Sequence, residues 1–335
     1  MPEYFGASWF AIRYGRGRCV LAVRSRPRAF GSTALRSKTV AYEAQSVEPA
    51  TARRESDVDP RAHVIVLNWN GWRDTSECLC SLQQLNYANY RVIVVDNGST
   101  DDSVSRIRKQ FPAIELVETH KNLGFAGGCN VGIALALADG ADYIWLLNND
   151  TIADVDALSA LVVKAESNPH FGAVGSAIYP PTDTHRLQAW GGGYVNFWVG
   201  RSRHFKRPVS DSKIKFLTGA SLFIRRQAVD EIGSLDDGFF MYWEDADYCF
   251  RLRSGGWKLA VAGNSKVWHK ESSSVGKGSS RMDAYFNASA ARFFRKHAVL
   301  PGLSLWTGVT LSLVKRVVAG EWDRVRAAWV GANGP

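Results

Sequence analysis

Residues 143–151 read YIWLLNNDT. A run apolar enough to be a fully buried strand stops abruptly at two amides and a carboxylate, Asn148, Asn149 and Asp150. Asn and Asp bond their own backbone and tolerate unusual dihedrals, so a plain turn is one reading. A ligand site at the carboxyl end of a parallel strand is the other, because open α/β sheets bind their ligands there. Nothing inside the stretch separates the two.

Working outward, the pattern is regular from Ala62. HVIVLNWN reads as a buried strand, DTSECLCSLQQL as a helix, YRVIVVDNGS as a strand and TDDSVSRIRKQF as a helix, with Ser99 and Asp102 spaced as a capping box. IELVETH is a short strand, NLGFAGGCNVGIALALADG a glycine-rich loop entering a helix, and VDALSALVVKAESN the helix after the opening stretch. Alternating strand and helix predicts a parallel sheet with helices on its faces. Past residue 168 the elements are shorter and richer in Gly and aromatics. FGAVGSAIY and KFLTGASLFIRR read as strands, GGGYVNFWVG as a loop or edge hairpin, FFMYWEDADYCFRLRSGG as a helix with an aromatic entry, and WKLAVAGNSKVWH as a last strand.

Four stretches carry chemistry. Asp96 and Asn97 follow an apolar strand, where a carboxylate can accept from a pyrimidine imide or a ribose hydroxyl, or close an Asx turn. Gly124, Gly127 and Gly128 precede a helix whose N-terminal amides could meet a phosphate, although neither the P-loop nor the G-x-G-x-x-G spacing is present. Asp150 is a hard oxygen ligand, and His269 ends the last strand at the same sheet edge if that strand is parallel. Glu244, Asp245 and Asp247 sit beside Tyr242 and Trp243, as a general base of raised pKa or as carboxylates of a first helical turn.

The chain has 335 residues and a net charge of +9, which suits an anionic partner without naming one. No zinc-finger, RRM-like or helix-turn-helix signature supports nucleic acid, and a dinucleotide dehydrogenase lacks its fingerprint. Five cysteines without a CxxC pair indicate neither a disulfide framework nor structural zinc, and fit a cytoplasmic protein. Residues 1–60 are Arg-rich and acid-poor and read as a disordered extension. The uncharged run 298–314 is too short and too interrupted by Pro301, Gly302 and Gly308 to span a bilayer. After it, Val314, Val317, Val318, Trp322, Val325 and Trp329 recur at helical spacing among Lys315, Arg316, Arg324 and Arg326. That is the pattern of a helix lying on an anionic membrane, and equally of a surface helix packed on its own domain.

Taken in order, the N-W-N strand end, VDNGSTD, NLGFAGGCN, NND, TGA, WEDADYCFR and the late His resemble the family 2 glycosyltransferases of GT-A fold, most closely the rhamnosyltransferase-like branch. The resemblance covers about residues 62–275. It implies a mostly parallel central sheet flanked by helices and a glycosyltransferase domain over 61–290; the helical, membrane-associated tail expected over 291–335 is read from its own apolar period. It implies a nucleotide-diphosphate sugar donor bound by Asn68, Asp96, Asn97, Gly124, Gly127, Asn130 and Asn149, with Asp96 on the base. It also implies Mg2+ or Mn2+ on Asp150 and His269, and inverting transfer with Asp245, or its neighbour Glu244, as general base. Thr218, Gly219, Tyr242 and Trp243 would wall the sugar and acceptor, the acceptor being a saccharide or lipid-linked saccharide of cell-envelope synthesis. Where the family has the first Asp of D-x-D, this chain has Asn148, a weaker metal ligand. A catalytically degenerate binding or scaffold protein of the same fold is the rival reading, and the location expected is cytoplasmic, with a peripheral place on the inner face of the cell membrane.

Overall fold

The computed structural model describes residues 10–14, 18–22, 59–183, 186–270 and 280–333. Residues 1–59 and 60–335 form separate compact units. In the first, β1 (Phe10–Tyr14) and β2 (Arg18–Ala22) pair as an antiparallel hairpin. The remainder of the expected disordered stretch lies outside the described residues, apart from residues 59 and 60.

The second unit begins as the alternation predicts: β3 (Ala62–Asn68), α1 (Trp72–Leu82), β4 (Tyr90–Asp96), α2 (Ser103–Gln110), β5 (Glu115–Glu118), α3 (Gly124–Ala138) and β6 (Tyr143–Asn148). It continues with β7 (Thr151–Ala153), α4 (Ala157–Glu166), β8 (Phe171–Tyr179), β9 (Ala189–Trp190), β10 (Gly192–Asn196), β11 (Arg201–His204), β12 (Phe216–Leu217) and β13 (Ser221–Arg225). It ends with α5 (Arg226–Ile232), α6 (Glu244–Ser254), β14 (Lys258–His269), α7 (Ser280–His297), α8 (Pro301–Val318) and α9 (Trp322–Asn333). The large sheet runs β5-β4-β3-β6-β13-β8-β14-β7, with β9 on β8. β3 pairs parallel with β4 and β6, and its Val and Ile side chains are buried on both faces because helices cover both. The register aligns Asn68 with Asp96 and Leu67 with Asn148, which gathers three polar strand ends at one sheet edge.

β13 runs antiparallel between β6 and β8, so the sheet is mixed. β8 and β14 are parallel, and the end of β14 turns onto the short antiparallel β7, pairing His269 with Thr151. That pairing places His269 beside Asp150. A second, three-stranded sheet runs β11-β10-β12.

Two local expectations are corrected. Ser99 does not cap α2: its hydroxyl donates to Asp96 Oδ2 at 2.7 Å, and Asp101 Oδ1 accepts the Ser103 N–H instead. The tail is not one amphipathic helix, because the chain turns at Gly320, where φ is +71°, and α8 and α9 are separate. Two of its four basic residues, Arg316 and Arg324, reach Asp283 of α7, at 2.5 and 2.6 Å, and tie the last three helices together. Among the described residues, no helix is long and apolar enough to cross a membrane.

Candidate active site

Of these polar strand ends, Asn148 lines a cavity of about 490 Å3, within the usual range for a small-ligand site. Asn148 ends β6, and the turn that follows swings Asp150 into the cavity before β7 begins. The turn is locked from several sides. Thr151 Oγ1 donates to Asn148 O at 2.6 Å, Asn149 Nδ2 to Thr75 Oγ1 at 3.0 Å, and Lys270 N–H to Asp150 O at 3.0 Å. The stretch is therefore both a turn and a cavity wall. Behind it Cys78 is fully buried, and burial pushes its thiol up to about 12, as a structural cysteine requires.

Asp150 Oδ1 and His269 Nε2 are 3.2 Å apart at the cavity wall. Gln188 Nε2 lies 3.3 Å from His269 Nδ1 and orients the ring, a role that sequence reading missed because Gln188 belongs to no motif. The Asn148 Oδ1 atom is buried without a hydrogen-bond partner, and Asn148 is among the residues that line the same cavity. Among the described residues, no three His, Cys, Asp or Glu side chains converge. A carboxylate, an imidazole and an unpartnered amide oxygen nonetheless fit Mg2+ or Mn2+ held mainly by substrate phosphates and water.

On another wall, the loop before α6 is held in an unusual form. Tyr242 and Trp243 have φ of 69° and 68°, left-handed values that cost each non-glycine residue about 1 kcal/mol or more. Surrounding contacts impose them: Trp243 packs on Phe293 and Phe294, Ser289 Oγ donates to Met241 O, and Phe125 N–H donates to Phe240 O. The expected helical entry is thus a strained loop, and it delivers Glu244 and Asp245 to the cavity on the first turn of α6.

The three carboxylates of this turn differ. Burial would raise Asp247, but His297, Lys296 and Arg251 at 2.7–2.9 Å hold it down to about 2, so it anchors α7 to α6. Burial raises Glu244, and the Asp245 charge lifts it further, well above the usual carboxylate range; its Oε2 has no partner. Asp245 is also raised by burial, but the Gly219 N–H at 2.8 Å, the Ala246 N–H at 2.7 Å and nearby His204 favour its ionised form. Asp245 is accordingly the ionised member of the pair and Glu244 the neutral one.

Asn97, Gly124, Asn149, Thr218, Gly219, Tyr242 and Trp243 line the same cavity. Asn68, Asp96, Gly127 and Asn130 do not. The Asp96 carboxylate is buried and accepts from Asn68 Nδ2, Ser99 Oγ and Ser99 N–H. Asn130 clamps the Leu235 backbone in both directions. The glycine-rich segment is helix rather than phosphate loop: the N–H groups of Leu123, Gly124 and Phe125 already donate to Asn97, Asn122 and Phe240. Its glycines admit the sheet instead, since a Cβ on Gly128 would sit 2.5 Å from Leu67 Cδ1. Ser202 and His204 also line the cavity and were missed; their period-two spacing on β11 was the available signal.

This architecture, a mixed sheet whose polar edge meets a carboxylate pair, is the GT-A fold. The mannosyltransferase PcManGT of Pyrobaculum calidifontis, solved with GDP-Man and Mn2+, superposes with a TM-score of 0.53 at 20% identity, covering 86% of this chain and 80% of that one. GalNAc-T7, solved with UDP, GalNAc and Mn2+, gives 0.58 at 12% identity over 84% of this chain and 57% of that one. Residues 63–233 match the sequence profile of Glycosyl transferase family 2, and the chain belongs to that family. The N-acetylglucosaminyl-diphospho-decaprenol L-rhamnosyltransferase of Mycobacterium tuberculosis is 26% identical over 237 residues, 64% of this chain and 77% of the relative.

Proposed function

We propose that this chain is an inverting, Mg2+- or Mn2+-assisted glycosyltransferase. It moves a sugar from a nucleotide-diphosphate donor to a saccharide or lipid-linked saccharide during cell-envelope polysaccharide synthesis. The observation that carries the reading is that Asp245 lines the same cavity as the Asp150–His269 pair. An intact acid pair and intact metal-ligand candidates favour it over a degenerate binding protein. The catalytic domain is assigned to residues 61–290 and the helical tail to 291–335, and the cytoplasmic side of the cell membrane is the site of action.

Asp150 and His269, with Asn148 beside them, would hold the cation, which when bound supplies positive charge to the departing diphosphate. Asp245 accepts the proton of the acceptor hydroxyl as its oxygen bonds the anomeric carbon and the bond to the diphosphate breaks. The Gly219 N–H fixes the carboxylate for that transfer. Attack opposite the leaving group in one displacement inverts the anomeric centre. Tyr242 and Trp243 wall the cavity and exclude water. Asn97 and Asn149 are positioned to meet the nucleotide, and Asp96 acts through the Asn68–Ser99 cluster behind them.

Because a relative is named as an L-rhamnosyltransferase, dTDP-rhamnose heads the donor panel. A donor at about 100 times its dissociation constant adds about 2.7 kcal/mol of stability. Thermal shift against nucleotide sugars with Mn2+ should therefore show a rise of several degrees for one nucleotide class, lost on chelation. No shift with any nucleotide would remove the donor assignment.

A further inference from the structure

The outer face of α8 has no part in the catalytic chemistry. Leu303, Trp306, Leu311, Val314, Val317 and Val318 are all exposed along it, Trp306 by 69% and Val318 by 83%. At 100° per residue these positions fall on one side of the helix. Near its N-terminus the helix is fastened to the protein: Ser304 Oγ, at the edge of this stripe, donates to Phe197 O at 2.5 Å, and Thr307 Oγ1, within its arc, to Trp198 O at 2.8 Å. Gly200 and Gly308 make that approach feasible, since a Cβ on Gly200 would meet Ser304 O at 2.1 Å. The clamp holds Trp198 and Val199, both exposed, beside the N-terminal half of α8.

Charge and shape together indicate the occupant. Arg201, next to this tip, lies near Arg203 and Arg316, and burial together with those like charges lowers its pKa. Neither Arg201 nor Arg203 pairs with a carboxylate among the described residues, and Arg203 is exposed. Beneath α8 runs a groove lined by Ala290, Phe294, Leu305 and Val309, with Arg201 at its side. Ser202 and Phe286 line both this groove and the active-site cavity, so the two adjoin at these residues.

We propose that the outer face of α8 and the Trp198–Val199 tip dock on an anionic lipid bilayer, with Arg201 and Arg203 at the headgroup phosphates. The groove past Phe286 and Ser202 then admits a lipid-linked acceptor to Asp245 without its leaving the bilayer. This second half rests on the proposed transfer to such an acceptor; the docking itself does not. An apolar stripe flanked by cations that lack carboxylate partners suits a phosphate surface better than a second copy of the same cationic chain.

The full chain should co-sediment with phosphatidylglycerol/phosphatidylcholine vesicles and much less with phosphatidylcholine alone. Trp306→Glu with Val314→Glu should weaken that partition at least about tenfold. Arg201→Ala with Arg203→Ala should lose most of the dependence on anionic lipid and on salt, because each cation near such a surface contributes several-fold. Unchanged melting temperature and unchanged donor hydrolysis in both double variants would show that the fold and donor site are intact. Equal vesicle binding by wild type and the Glu double variant would overturn the docking, as would a dimer in solution that the same variant disrupts. Docking without activity on any lipid-linked acceptor would instead strike at the functional reading alone.

Discussion

Asp245→Asn should lower sugar transfer by about 10² to 10⁴-fold, the usual contribution of a positioned general base, while leaving donor binding nearly unchanged. The amide is almost isosteric and keeps one of the two backbone hydrogen bonds, from the Gly219 N–H, while its NH2 replaces the oxygen that accepted the Ala246 N–H. It cannot take a proton from the acceptor. The change removes one buried charge and one backbone hydrogen bond together, so the melting temperature should change little. Glu244→Gln is the comparison: Glu244 is already the neutral partner, and its change should affect rate much less than that of Asp245. The pH profile follows with a definite sign. Asp245 must be ionised to act, and its pKa is raised above the free Asp value of about 3.9, so activity falls as pH drops through a limb above that value. In Asp245→Asn that limb should disappear. Equal losses in both variants, or a limb unchanged in Asp245→Asn, would contradict the assignment.

Asp150→Ala should weaken Mn2+-dependent binding of a nucleoside diphosphate at least about a hundredfold, some 2.7 kcal/mol, and abolish transfer with metal present. It removes the carboxylate that lies 3.2 Å from His269. Calorimetric titration of nucleotide with and without Mn2+ reads this directly. Asn148→Asp supplies the opposite test. Its Oδ1 is buried and unpartnered, so a carboxylate there should tighten metal-dependent binding. Metal-independent binding of full strength in Asp150→Ala would sink the cation role.

Much of this site was legible in the sequence because its residues end strands. A strand end is marked by an apolar run meeting polar residues, and parallel pairing carries such ends to one edge, as with Asn148 and Asp150. His269 was recoverable for the same reason, although its partner strand β7, only three residues long, was not foreseen. What the sequence hid depends on tertiary contact. Gly124, Gly127 and Gly128 looked like a phosphate loop, but whether helix amides are free depends on distant acceptors such as Phe240 O. Arg316 and Arg324 looked membrane-directed until Asp283, some 30 to 40 residues earlier, claimed both. Tyr242 and Trp243 read as helix entry because left-handed backbone is imposed by packing on Phe286, Phe293 and Phe294, which no local propensity encodes. Conversely, the exposed stripe of α8 was partly visible as an apolar helical period, and the structure moved it upstream, onto residues 303–318.

The central claim is a single displacement driven by Asp245 at a nucleotide-sugar site. The most direct measurement is the anomeric proton NMR spectrum of the product formed by the full chain from its donor, read before any mutarotation. Inversion of the donor's anomeric configuration, with product formation suppressed in Asp245→Asn, is the predicted result. Retention, or product formed at wild-type rate without Asp245, would contradict it.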